Sequence, residues 1–294
     1  MSGPEAAGAL SGEDGIYLAD TGHGPSALGT DVRRFVNLTV TLAATEFKLR
    51  YFGSVLGYFW SLMKPVLFFG VLYVVWSVVF NLGKGVPHYP AYLLTAVMLW
   101  TFFVEATSNS VQCLLAREGL LRKMRFPRLV IPLSVALVAL FNLGMNFIAV
   151  FAFAVASGVQ ARLSWLELPV LVALLTILAV GAGMLLSVLY VRFRDIQPIW
   201  EVIAQILFYG SPVIWTAYVM AKDHLRLLHF AMCNPVAAIL TQMGHAFVDP
   251  RLRSASFYIG GGLRLLIPLG IIGLVFGVGL WFFNREAPRI AENI

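Results

Sequence analysis

Long apolar blocks alternate along this chain with short charged stretches. About 20 apolar residues is what a helix needs to cross the hydrocarbon core of a bilayer. The pattern therefore predicts six transmembrane helices, over 65–82, 91–115, 129–157, 165–191, 199–220 and 260–284. Between the fifth and sixth, the stretch 225–248 is apolar in two pieces, each too short to cross, which predicts short re-entrant helices. Ahead of the first span, Phe35, Leu38, Leu42, Leu49, Phe52, Leu56 and Phe59 recur at helical spacing. Arg33 and Arg50 fall off that face and Lys48 at its edge, while Arg34 interrupts it. The stretch 31–64 is thus expected to be an amphipathic helix in the membrane interface, and the fold class an all-α integral membrane protein.

Composition supports this. Hydrophobic residues make up 59% of the chain and charged ones only 12%, where a soluble domain is roughly one quarter charged. The net charge of +6 matters less than its distribution, because Lys and Arg are retained in cytoplasmic loops. Arg33, Arg34, Lys48, Arg50 and Lys64 precede the first span, Arg117 to Arg128 supply five more after the second, Arg192 and Arg194 follow the fourth, and Arg285 and Arg289 lie in the tail. The opposite short loops hold only Lys84 and Arg162. Both termini are expected in the cytoplasm of a cell whose cytoplasmic membrane the chain spans. Residues 1–30, with Glu5, Glu13, Asp14 and Asp20 and no Lys or Arg, read as a disordered acidic tail without a secretory signal, and 285–294 as a short cytoplasmic tail.

Several chemistries are disfavoured. No recognition helix or aromatic-basic motif points to nucleic acid. Cys113 and Cys233 are too few for a disulfide framework. The five histidines form no HExxH pair, so no metal site is expected, and Gly83-Lys84 lacks the rest of a phosphate-binding loop. No catalytic residue and no cofactor is assigned to this chain.

Three intramembrane stripes remain. Phe69, Tyr73, Trp76 and Phe80 share one helical face of the first span, and Thr101, Glu105, Ser108 and Gln112 one face of the second. Glu201, Gln205, Phe208, Pro212 and Trp215 make a mixed face on the fifth. A carboxylate is costly against lipid, so Glu105 is expected to face the bundle interior or a watery path. Sugars present flat C–H faces and many hydroxyls, and aromatic faces with neutral polar groups would pass them without gripping. The loop 116–128, with Arg117, Glu118, Arg122, Lys123 and Arg125, reads either as topogenic charge or as a short helix pushed by a cytoplasmic motor; spacing does not decide between them.

Four motifs carry a resemblance. They are LRYFGSVLGYFWSLMKP at 49–65; LLRKMRFPR at 120–128 followed by Ile131-Pro132-Leu133; Arg192-Phe193-Arg194-Asp195 leading to Gly210-Ser211-Pro212-Val213-Ile214-Trp215; and Asn234-Pro235. In this order on a six-span frame, over residues 31–284, they resemble the ABC-2 polysaccharide-export permeases, which include O-antigen, teichoic acid and galactan exporters. The resemblance implies a homodimer bound to two copies of a separate ABC ATPase that carries the ATP and magnesium, with a lipid-linked polysaccharide as cargo. It places the coupling helix in 116–128, the cargo's interfacial way in near Arg50, Tyr51 and Trp60, and outer gate helices in 225–248 with Asn234 and Pro235. The translocation path would run along the first two stripes and along Gln205, Phe208 and Trp215 of the third. Two alternatives stay open: an ABC-2 exporter of a small drug or lipid, and, further behind, a membrane glycosyltransferase. The latter calls for a carboxylate cluster at one surface, whereas Asp195 and Glu201 lie near one side and Asp223 and Asp249 near the other.

Overall fold

The computed structural model describes residues 32–51, 57–117, 119, 127–221 and 225–293, and among the described residues the secondary structure is helical throughout. We number the helices α1 (Val32–Tyr51), α2 (Gly57–Leu72, continuing as a π-helical stretch Tyr73–Val79), α3 (Tyr89–Val111), α4 (Cys113–Ala116) and α5 (Val130–Ala156). They continue as α6 (Glu167–Arg192), α7 (Ile196–Gly210), α8 (Ala217–Met220), α9 (Leu225–Ala231), α10 (Pro235–Met243, extended by the π-helical Gly244–Val248), α11 (Ala255–Ile259) and α12 (Leu266–Asn293).

Side-chain contacts set the direction of each helix. His88, at the start of α3, bonds the Ser157 carbonyl just past the end of α5, and Arg117, past the end of α3, reaches Ser134 at the start of α5. These two helices therefore run antiparallel between a His88 end and an Arg117 end. Trp165 packs against Phe247 at the first, and Gln112 meets Gln197 near the second, so α6 descends to the Arg117 end and α7 climbs back. Phe283 of α12 is buried with Cys113 and Leu129, which brings the last helix down to the Arg117 end. With α2, the chain makes six passages.

Five of these are long and apolar enough to cross a bilayer on their own. The fifth passage, α7, has only 15 residues, about 22 Å at 1.5 Å per residue, short of the roughly 30 Å hydrocarbon core. Where one span over 199–220 is expected, the helix stops at Gly210 because Pro212 forces the preceding Ser211 into an extended conformation (φ −108°, ψ 152°). Residues 211–216 complete the passage. Two of their carbonyls are met by side chains: the Tyr92 hydroxyl donates to the Pro212 oxygen at 2.5 Å, and the Tyr89 hydroxyl to the Ile214 oxygen at 2.6 Å.

α3 is the axis of the bundle. In its membrane window 78% of residues are buried, against 17% for α2 and for α12, so these two are peripheral. Glycine sets the tightest contact. A β-carbon on Gly181 of α6 would lie 2.6 Å from Phe276 Cα of α12, and one on Gly279 would strike the Gly181 carbonyl. Small residues allow this approach where no hydrophobic effect drives helices together.

The stretch 31–64 divides into two elements, α1 and the first turns of α2, which begins at Gly57 rather than near Lys64. α1 lies along α5, and its packed positions are Thr39, Ala43 and Tyr51. Val36, Leu38, Val40 and Leu49 remain exposed on it. Thr39, Ala43 and the aromatic Tyr51 thus face protein while several large aliphatic side chains face outward, as suits a helix at a lipid surface.

Over 225–248 the two pieces are α9 and α10, bent at 111° to one another. Asn234 caps α10 by accepting from the Val236 N–H at 3.0 Å, with Pro235 in the first turn. Its amide also donates to Ser211 Oγ at 2.9 Å, and Asp249 beyond the far end of the π-helical extension faces His88. Both legs consequently stay at the His88 end. α12 runs on to Asn293, past the expected end of the last span at residue 284.

Candidate functional site

Glu105 lies in the second half of α3, and its carboxylate is ion-paired to Arg50 in the last turn of α1. Asn142 of α5 donates to the same oxygen at 2.7 Å. The other atom of that amide accepts from the Tyr51 hydroxyl at 2.7 Å. Three residues from two helices, Arg50, Asn142 and, through Asn142, Tyr51, thus neutralise and solvate a carboxylate that bare lipid would not tolerate. One turn earlier on α1, Glu46 pairs with Arg117. Arg117 also donates to Ser134 Oγ at 3.3 Å and to the Ile131 carbonyl at 3.4 Å. Between the two ion pairs lies a cleft of about 450 Å³, lined by Glu46, Arg50, Asn109, Gln112, Cys113 and Arg117 over a floor that includes Val135 and Val138.

The stripe Thr101, Glu105, Ser108 and Gln112 is the less covered side of α3. Trp100 and Phe103, on its other side, are buried against Phe208 and Trp200, with Trp100 and Phe208 ring centroids 5.5 Å apart. Gln112 hydrogen-bonds Gln197 of α7, and Gln197 donates to Glu201 at 3.3 Å. Gln197, Glu201 and Gln205 form one row at four-residue spacing, and Glu201 and Gln205 are exposed in this chain. Phe208, which spacing puts on the same side of α7 one turn further on, is buried on Trp100 and Phe68. The polar part of the fifth-span stripe is therefore brought to Gln112, and the aromatic part is not. Trp215, past the break, donates to the Tyr209 carbonyl at 3.1 Å.

In the first span Phe69 and Tyr73 stack on each other, and Phe69 meets Phe153 of α5 edge-on at 5.7 Å. Phe69, Tyr73 and Trp76 pack on this chain's own core, whereas Phe80 is exposed. They do not form one continuous wall with Glu105 in the single chain. Trp60, near the start of α2, is exposed. Glu118, Arg122, Lys123 and Arg125 of the loop 116–128 lie outside the described residues, as does the tail 1–30; Arg117 is the described member of that site.

A second charged cluster marks the His88 end. Asp249 is buried and holds Arg251 through both carboxylate oxygens, at 2.9 and 3.1 Å, with His88 Nε2 at 3.8 Å. The Arg251 side-chain bonds hold the Asp249 carboxyl below the usual carboxylate range. Among the described residues no three His, Cys, Asp or Glu side chains come together as a metal site.

Sequence reasoning passed over Glu46, Asn142, Gln197, His88 and Asp249. Asn142 and Asn146 were the available signal, two amides four residues apart in an otherwise apolar span. Nothing in the sequence pairs Glu46 with Arg117.

Five helices long and apolar enough to cross a bilayer, with a carboxylate held inside one of them and a bent helix pair at one end, define a polytopic membrane protein. The family described as ABC-2 type transporter matches residues 37–247, and this chain belongs to that family. It is similar to the O-antigen export system permease protein RfbA of Klebsiella pneumoniae, 28% identical over 261 residues that cover 87% of this chain and 94% of that protein. The protein of the same name from Myxococcus xanthus is 25% identical over 268 residues, 90% of this chain and 98% of that one. The polysialic acid transport protein KpsM of Escherichia coli is 21% identical over 254 residues, 82% of this chain and 91% of KpsM.

Proposed function

We propose that this chain is the permease subunit of an exporter that moves polysaccharide linked to a polyprenyl pyrophosphate across the cytoplasmic membrane. The likeness to permeases named for O-antigen export, over nearly the whole of both chains, supports the cargo class. The observation that carries the mechanism is the row Gln197, Glu201 and Gln205 beside Gln112, in which Glu201 and Gln205 are left uncovered on a membrane helix. Facing lipid, such a row is costly. Facing a second copy of the chain, it lines a path with hydrogen-bonding groups suited to sugar hydroxyls. The working unit in this reading is a homodimer with two copies of a separate ABC ATPase, which supplies ATP and magnesium. Its closure drives the loop 116–128. The Arg117 end and both termini lie in the cytoplasm, Trp60 marks the interfacial way in beside Arg50 and Tyr51, and α9 and α10 with Asn234 and Pro235 form the outer gate.

Depletion of the protein in its host, followed by extraction of lipid-linked glycans, tests this reading. The expected result is accumulation of a polyprenyl-pyrophosphate-linked polymer on the cytoplasmic side. Accumulation of a drug or simple lipid with glycans unchanged would overturn it.

A further inference from the structure

We propose that α1 is a mechanical strap that carries displacement of the loop 116–128 to the membrane carboxylate Glu105, with Glu46 and Asn142 as positioning residues of the transport cycle. The inference rests on the reading of 116–128 as the loop that the ATPase drives. Glu46 and Arg50 are one turn apart on α1 and so point to the same side of it. Glu46 holds Arg117, the residue at which the loop begins, and Arg50 holds Glu105 within the span that leads into it. Asn142 and Tyr51 close the second link onto α5, the span that leaves the loop. One interfacial helix is thus fastened to both helices that the loop connects.

The cleft of about 450 Å³ between the two links decides how α1 is held there. That volume equals many waters at about 30 Å³ each, so Glu46 and Arg50 reach their partners beside open space, while Ala43, Phe47 and Tyr51 pack α1 against the bundle. The polar links beside the cleft add to that packing, and such links transmit a pull while the cleft leaves room for tilt. Packed cores, by contrast, resist continuous deformation. Arg50 and Tyr51 accordingly act through Glu105 and Asn142 and position α1.

The test uses the full permease with its ATPase in proteoliposomes and reads lipid-linked glycan exported per ATP hydrolysed. Glu46→Arg and Arg117→Glu should each cut this ratio by about tenfold, within the usual range for coupling between two sites. The exchanged pair Glu46→Arg with Arg117→Glu should bring it back to within about threefold of the wild-type ratio. A purely structural role would lower the amount of folded permease and leave the ratio unchanged, and that result overturns the strap. So does an exchanged pair no better than the worse single variant. Glu46→Gln, nearly the same shape without the charge, covers the case in which reversal prevents folding, and an unchanged ratio for it is equally fatal. The double variant Arg122→Glu, Lys123→Glu separates the two readings. If it binds the ATPase and exports normally, the loop reading fails and takes the strap with it; if it is defective while the Glu46 variants are normal, only the strap fails.

Discussion

Gly181 of α6 and Gly279 of α12 touch backbone to backbone, with no room for a β-carbon on either. This contact lies in the interface between α6 and α12. Gly279→Val should therefore force α12 away from α6 and cost about 1 to 3 kcal/mol, the usual range for overpacking. Gly270→Ala, where a β-carbon meets nothing within 4 Å, should be nearly silent. Thermal unfolding of purified variants in detergent checks both, and equal melting temperatures would contradict the packing.

The broken fifth passage depends on two tyrosine hydroxyls. Tyr92→Phe leaves the Pro212 carbonyl without its donor, and Tyr89→Phe does the same to Ile214. Each should cost about 1 to 3 kcal/mol, the penalty of an unsatisfied buried polar group. Unfolding midpoints of the two single variants and the double measure it.

The less covered side of α3 makes a positional prediction about export. Cysteines at Thr101, Glu105 and Ser108 should react with a bulky thiol reagent and lose export. Cysteines at Trp100 and Phe103 should be unreactive and destabilised by about 3 to 5 kcal/mol, as for other large-to-small core changes. Fast labelling at 100 and 103 with none at 101 and 108 would reverse the assigned face.

Asp249 makes the His88 end sensitive to acid in one direction. A carboxyl whose folded pKa is depressed contributes stability above its unfolded pKa, near 4, and loses it as pH falls through the lower folded value. Hydrogen exchange over residues 244–253 should stay slow from pH 7 to about pH 4 and quicken below. Asp249→Asn should exchange faster at pH 7 and lose the pH dependence.

Orientation has a direct check. Single cysteines at Lys84 and Arg162 should react with an impermeant reagent added to spheroplasts, and cysteines at Arg122 and Arg192 only after permeabilisation. The opposite pattern would invert the proposed topology.

The sequence by itself determined the helical membrane class, the approximate place of the spans and the phase of α3, because hydrocarbon enforces long apolar runs and excludes a carboxylate from lipid. Thr101, Glu105, Ser108 and Gln112 could be read as one face from spacing alone. The tertiary structure decided which helix answers each polar group. Glu105 found Arg50 and Asn142, Asn142 in turn found Tyr51, and Arg117 found Glu46. Such pairings join residues 37 to 91 positions apart, and no local periodicity encodes them. The break in α7 was half legible: Gly210-Ser211-Pro212 stands in the sequence as a helix stop, but only the fold brings Tyr89 and Tyr92 to the freed carbonyls. Hydropathy reports what each residue avoids, and the partner it meets is fixed only when the helices pack.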